Sequence, residues 1–372
     1  MRDLARPEIV AMKPYSSARS EAGSDGILLN ANELPWPLVE DPNAADESAD
    51  PLNRYPQPQH AVLVEKLAGL YQLPPDHVLL TRGSDDAIDL LVRVFCRAGQ
   101  DAILDTPPGF GMYRIAAQVQ GARLIDVPRN PQTLRLDQEG MLQVVGGNDP
   151  PRIVFLTSPA NPTGECVENE FLQELLTVAR DRAIVVVDEA YAEFTDSPGF
   201  VQLVPKTEHL VVLRTLSKAF ASAGLRCGAV LAQPEVIALL KRVIPPYPLA
   251  TPVLSLALRL FDPDVRQRQK ALTREIGRNK QALLERLGRH DFIRQTWPGE
   301  ANFVLLRVDD AQALTRFCSE QGITIRAFSG NALLDGCVRI SVGSRKEIDR
   351  LDRVLRAFAG RSGTAPGSRQ HG

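Results

Sequence analysis

The chain has 372 residues, 44% of them apolar and 24% charged, a soluble profile with enough length for a large core and two domains. Lysine and arginine (43) nearly balance aspartate and glutamate (45), which argues against nucleic acid or an anionic membrane as a partner. Five cysteines, odd in number and without a CxxC pair, read better as reduced thiols of a cytosolic protein than as a disulfide frame, and the five histidines show no metal-ligand spacing.

Residues 1–14 carry Arg2, Asp3, Arg6, Pro7 and Glu8 and no apolar stretch, unlike a secretory signal. No apolar run approaches the ~20 residues of a membrane helix. The segment up to Asn32 cannot build a core alone and is expected to pack on the smaller domain. Residues 41–50 are acidic and polar and read as a mobile loop. Val78-Leu79-Leu80 reads as a buried strand, followed by Gly83-Ser84 and a helix through Ala87, Leu90, Leu91, Val94 and Phe95. Residues 102–104, 153–156, 183–187 and 210–213 read as further buried strands, with a helix over 171–179. Strands without polar alternation, separated by helical stretches, predict an α/β fold with a mainly parallel sheet covered on both faces. Ligands bind such sheets beyond the carboxyl ends of the strands.

The proline cluster at 244–248 predicts a boundary. Beyond it the pattern predicts helices over 263–287, 311–320 and 345–358 and strands over 302–306 and 337–342, which make a smaller α+β domain. Residues 360–372 are rich in Gly, Ser and Arg and read as a disordered tail. The expected division is 33–248 for the large domain, 1–32 with 249–360 for the small one, and 361–372 for the tail.

The polar residues at the strand ends carry the chemistry. Lys218 lies where a buried strand gives way to a Gly-rich loop, and packing explains it poorly. A desolvated lysine has a lowered pKa and is suited to forming a Schiff base. Ser217 and Arg226 offer a hydroxyl and a planar fork to a phosphate. Together these three suit pyridoxal 5'-phosphate (PLP). Asp188 ends a strand, either as a helix N-cap or as a partner for a protonated ring nitrogen. Tyr191 is either a half-buried tyrosine or a donor to the cofactor's phenolic oxygen, and Asn161 is either turn chemistry or a second donor to that oxygen. Gly83-Ser84-Asp85 opens a helix and offers an anion site, with Ser84 as its N-cap. The carboxylates of Asp85 and Asp86 must then turn away or be outweighed by Lys218 and Arg226. Phe110 either packs in the core or stacks on a flat ring. There is no GxGxxG, no GxxxxGK[ST] and no HExxH, so nucleotide and zinc-protease readings have no motif.

Several pieces form a pattern: Asn30-Ala31-Asn32-Glu33, Asn53-Arg54-Tyr55-Pro56, residues 158–164, Val187-Asp188-Glu189-Ala190-Tyr191, Thr215-Leu216-Ser217-Lys218 and Val338-Arg339-Ile340-Ser341. Through them the chain resembles the fold-type I PLP-dependent aminotransferases of class II over residues 12–358. Lys13-Pro14-Tyr15 and the first two pieces point to the histidinol-phosphate subgroup. The resemblance implies a PLP-transferase fold with a seven-stranded type of sheet. It also implies that Lys218 binds the cofactor aldehyde and moves the substrate proton, that Asp188 pairs with the ring nitrogen, and that Asn161 and Tyr191 hold the phenolic oxygen. Ser84, Asp85 (through its N–H), Ser217 and Arg226 would hold the phosphate, and Phe110 would stack where many relatives carry Tyr. Tyr55 would reach the cofactor of a second subunit, which implies a homodimer with shared sites. Arg339 and Arg326 would bind the substrate's carboxylate and phosphate, with Tyr15 and Asn32 lining the pocket. The implied partners are an amino donor and a keto acid. The alternatives on the same fold are decarboxylation of threonine phosphate and aromatic transamination. A non-catalytic effector module is disfavoured, because only about 50 residues precede the cofactor domain and because a binding module needs no Lys218.

Overall fold

The computed structural model describes residues 1–15, 17, 29–39 and 51–362. The expectations for residues 41–50 and for the tail beyond 362 lie outside the described residues. Seven strands, β1 (Val78–Thr81), β2 (Ala102–Asp105), β3 (Arg123–Asp126), β4 (Ile153–Thr157), β5 (Ile184–Asp188), β6 (Leu210–Thr215) and β7 (Gly228–Ala232), form one sheet in the order β1-β7-β6-β5-β4-β2-β3. The pairings from β3 through β2, β4 and β5 to β6 are parallel, and β7 runs antiparallel to both β6 and β1. A second sheet, β8 (Ile293–Trp297), β9 (Phe303–Val308), β10 (Arg326–Ala327) and β11 (Cys337–Ser341), is antiparallel throughout in the order β10-β11-β9-β8.

Eleven α-helices are found among the described residues. They are α1 (Pro7–Ala11), α2 (Ala61–Tyr71), α3 (Ser84–Phe95), α4 (Met112–Gln120), α5 (Gln138–Gly146), α6 (Asn169–Ala179), α7 (Pro234–Leu240), α8 (Thr251–Arg259), α9 (Pro263–Leu287), α10 (Ala311–Glu320) and α11 (Arg345–Ser362). The period of two along each strand divides the first sheet's side chains between two cores. Val185, Val187 and Val212 face α2, α6 and α8 through Leu63, Phe171 and Leu254. Ile184, Val186 and Val211 face α3, α4 and α7 through Leu91, Ala117 and Val236. A third core joins Val304, Leu306 and Val338 of the second sheet to Leu283, Leu314 and Leu351 of α9, α10 and α11.

Two placements differ from the sequence reading. The start of the chain packs on the first sheet, because Leu4, Ala5 and Ile9 are buried in the α3–α7 core. The Arg6 N–H donates to Val94 O at 3.0 Å, and Arg242 donates to Ile9 O. Helix α8 follows the proline cluster but also joins the first sheet's core, where Leu254 and Ala257 meet α2. The first sheet's unit therefore extends past residue 248. The prolines interrupt regular structure, while the apolar face of α8 decides where the chain packs. Helix α11 runs to Ser362, two residues into the stretch expected to be a tail. Strands β3, β7, β8 and β10 were not legible. β3 is an edge strand with a mixed pattern, and β7 starts at a glycine behind a loop.

Leu4→Ala tests the docking of the N-terminus. Urea unfolding should show a loss of about 2–5 kcal/mol, as for other buried leucines. A loss below about 0.5 kcal/mol, the range of surface substitutions, would contradict this packing.

Candidate active site

The parallel register brings three strand ends level. Thr157 of β4 lies opposite Asp188 of β5, and Asp188 lies opposite Leu213 of β6. The chain leaves each strand on the same edge, and a cleft opens there. The cleft is lined by Ser84, Asp85, Phe110, Asn161, Asp188, Tyr191, Ser217, Lys218 and Arg226, together with Thr157, Ala190, Thr215 and Ala223.

Asp188 forms the floor at 2% exposure. Its Oδ1 accepts from the Ala190 N–H and its Oδ2 from Tyr113 Oη, both at 3.1 Å. Tyr113 is itself fixed by Thr157 Oγ1 at 2.8 Å and stacks on Phe155 with ring centroids 4.5 Å apart. Burial pushes the Asp188 pKa up to about 6 against these two donors, with Asp85 raising it further and Lys218 lowering it. Asp188 is therefore a strand-terminal carboxylate with one face held and the other open to the cleft; its side chain bonds two residues into its own loop and to α4, and caps no helix.

One side of the cleft joins three residues. Arg339 Nη1 donates to Asn161 Oδ1, and Asn161 lines the cleft. The Tyr191 ring meets Phe303 edge-on at 5.3 Å, and Arg339 lies over the other ring of that pair, Phe303, at 5.2 Å. Burial raises the Tyr191 pKa, Arg339 opposes that rise, and Asp188 adds to it. Arg339 is pulled below its ordinary value by burial, with a further lowering from Arg326, its cross-strand partner on β10.

The other end of the cleft suits an anion. α3 begins at Ser84, but its N-cap is Gly83 (φ 78°), so Ser84 is the first helical residue. The hydroxyl freed from capping is buried and unpartnered. Gly83 has to be glycine because its backbone (φ 78°, ψ 179°) lies in a region that side-chain-bearing residues avoid; a Cβ there would also press on the Arg226 guanidinium, 2.9 Å away. Arg226 holds a left-handed conformation (φ 51°, ψ 48°), a strained choice for a side-chain-bearing residue that fits a functional constraint. Its Nη2 donates to Asp85 Oδ2 at 2.9 Å. The carboxylate expected to turn away from the anion site is thus paired with the site's own arginine. The Ser217 hydroxyl accepts from Thr215 Oγ1 at 2.9 Å.

Lys218 departs from the desolvated lysine expected above. It is exposed at the cleft, with Nζ 5.6 Å from the Tyr191 ring centroid. The fold directs this amine without drying it, because the space around it is left open by the cleft. Phe110 is half-buried, edge-on to Tyr113 at 5.7 Å, and lines the cleft.

Five expected residues lie outside this lining; one of them, Arg339, touches it through Asn161. Tyr15, Asn32, Tyr55 and Arg326 are exposed. Glu33 connects two of the early sequence pieces, since its carboxylate accepts from the Tyr55 N–H at 2.7 Å and from Arg54 at 2.8 Å. The Tyr55 ring stacks on Tyr247 at 4.5 Å. Sequence reasoning missed Tyr113 and Thr157. Thr157 ends β4 in line with Asp188, a signal visible only once the register is known; Tyr113 gave no local signal.

The donor set fits PLP. The orphaned Ser84 hydroxyl, the start of α3 and Arg226 suit a phosphate, and the open face of Asp188 suits a protonated ring nitrogen. Among the described residues no cluster is suited to a metal and no helix is long and apolar enough to cross a membrane.

Known proteins resemble this chain over most of its length. The family model for class I and II aminotransferases matches residues 24–355. A histidinol-phosphate aminotransferase of Cronobacter sakazakii is 38% identical over 98% of this chain and 99% of its own length. One from Aeromonas hydrophila is 40% identical over 95% of this chain and 97% of its own. The crystal structure of a histidinol-phosphate aminotransferase from Sinorhizobium meliloti in complex with PLP superimposes with a TM-score of 0.73 at 26% identity, covering 83% of this chain and 84% of that one.

The raised pKa of Asp188 gives a prediction for the cofactor-free protein. A carboxyl whose folded pKa exceeds its unfolded value costs stability as pH rises from about 4 to about 6, and the full cost is present above that range. Asp188→Asn should therefore stabilise the apoprotein at pH 7.5 by up to about 3 kcal/mol and leave it nearly unchanged near pH 4. Urea titrations at the two pH values check this; equal effects at both would exclude a buried charge as the cause.

Proposed function

The chain belongs to the class I and II aminotransferases, whose cofactor is PLP, and from that premise we propose that it transfers the amino group of L-histidinol phosphate to 2-oxoglutarate, giving imidazole acetol phosphate and glutamate in histidine biosynthesis. The observation that carries this reading is the convergence of Lys218, Asp188 and a phosphate-sized anion end in one cleft. The substrate assignment draws on the near full-length similarity to histidinol-phosphate aminotransferases.

Bound PLP supplies an aldehyde for the lysine amine and a ring that takes up electrons from the substrate's Cα. Lys218 would hold the aldehyde and, as a free amine, would serve as general base for the substrate's Cα proton. Asp188 keeps the ring nitrogen protonated, with its own orientation set by Tyr113 and Ala190. Asn161 and Tyr191 donate to the phenolic oxygen. Ser84, Ser217, Arg226 and the N–H of Asp85 hold the phosphate, and Phe110 covers a ring face. Arg339 stands beside Asn161 at the substrate side, and Arg326 opposite it adds a second positive charge, so the pair suits a carboxylate or a phosphate. Tyr15 and Asn32 complete the pocket.

The large apolar side chains of Tyr55, Leu34, Trp36 and Leu38 are exposed and support a homodimer that covers them. In it Tyr55 reaches the partner's cofactor phosphate. Free cysteines throughout the described chain suit a cytoplasmic enzyme. Threonine-phosphate decarboxylation is the second reading, because an arginine pair serves either phosphorylated substrate.

Lys218→Ala should abolish both transamination and the visible absorbance of bound cofactor; an unchanged spectrum removes this lysine from the chemistry. A panel of histidinol phosphate, threonine phosphate and aromatic amino acids, scored by conversion of the coenzyme to its amine form, should favour histidinol phosphate. Release of CO2 from threonine phosphate at the higher kcat/KM would establish the second reading instead. Arg339→Ala should raise substrate KM by about ten- to a hundredfold, the loss of one charge-assisted contact. Mixing inactive Lys218→Ala with a Tyr55→Ala variant should restore activity through one intact site per mixed dimer, and no recovery would refute shared sites.

A further inference from the structure

We propose that Lys280 is a positioning residue: by holding the turn at residues 299–301 it seats Asn161 and Tyr191 against the cofactor. The proposal rests on the reading that those two side chains hold the phenolic oxygen. Helix α9 presents Ile276, Leu283 and Leu287 to the second sheet's core, and Lys280 shares their face one turn away from its neighbours on either side. An apolar residue would suit that position, yet it holds a lysine at 8% exposure. Its Nζ donates to Gly299 O at 2.8 Å and to Ala301 O at 2.6 Å. A buried ammonium is costly unless paired or well hydrogen-bonded, and both of these carbonyls belong to one short turn.

That turn touches both loops of the proposed phenolic-oxygen site. Between the two carbonyls, the Glu300 N–H donates to Gly164 O at 2.7 Å. Gly164 closes the loop that carries Asn161, through its own N–H to Ala160 O at 2.6 Å. The two backbones meet without side chains between them, and a Cβ on Gly164 would lie 2.7 Å from Gly299 Cα. On the other side, Ala301 and Phe303 pack against Ala190 and Tyr191. The Glu300 carboxylate accepts from Thr195 Oγ1, a few residues beyond Tyr191. A single ammonium thus fixes a turn that bears on the loop after β4 and on the end of β5 together. A shift of 1 Å there moves both donors, and misplacement on that scale is costly in active sites.

Donors to the phenolic oxygen favour its ionised form, so looser donors raise the pH at which the bound coenzyme's visible absorbance changes. The test follows this midpoint and the coenzyme Kd, with thermal melting as a control for folding. Lys280→Met should raise the midpoint by about half to one pH unit and the Kd about three- to tenfold. Lys280→Gln keeps a donor for one carbonyl and should fall between Lys280→Met and wild type; it decides the matter if the methionine variant does not fold. Asn161→Ala and Tyr191→Phe should move the midpoint in the same direction. If those two shift it while both Lys280 variants stay at the wild-type midpoint and Kd, the lysine is structural only and the proposal is overturned, with the phenolic-oxygen reading intact. If none of the four shifts it, that reading falls and the proposal falls with it.

Discussion

The constraint on which the site depends is the level ending of β4, β5 and β6. Parallel pairing places Thr157, Asp188 and Leu213 in one row, so the loops that follow start from one edge. A buried carboxylate stands in the middle of that row, and among the described residues two donors hold it. Its raised pKa shows that these donors do not fully offset the loss of water. The fold accepts this cost at the point where a positively charged ring nitrogen would remove it, which is the usual relation between local strain and function.

A second charge network locks the same row from behind. Glu189, next to Asp188, accepts from the Phe200 N–H at 2.6 Å and from Arg214 of β6 at 2.8 Å. Arg214 also pairs with Glu193 at 3.1 Å and lies 4.8 Å from the Tyr71 ring centroid. Burial pushes the Glu189 pKa up to about 7 despite the arginine. Buried pairs of this kind add little net stability but are costly to break. Here the pair ties the strand carrying Asp188 to the strand leading to Lys218.

The large sheet was legible because its central strands are buried on both faces and read as unbroken apolar runs. Residues 184–187 and 210–213 are such runs. β3 and β8 were not legible, since each is an edge strand with a mixed pattern and its pairing comes from its neighbour. The order of the site residues along the chain was legible, and so was their gathering at one sheet edge. Three features were not. The Ser84 hydroxyl is released from capping because Gly83 takes that role at positive φ. Asp85 turns to Arg226, which lies 141 residues further along the chain. Tyr113 reaches Asp188 from a helix far away in sequence. All three depend on backbone geometry or on contacts distant along the chain, to which local pattern is blind.

The exposure of Lys218 has a consequence for the empty protein. Its amine is reachable from water and sits beside an aromatic wall. Under the proposed function, the same amine would be open to any small carbonyl compound in the solvent. Discrimination would then rest on the far end of the cleft, where the unpartnered Ser84 hydroxyl and Arg226 suit a doubly charged head group.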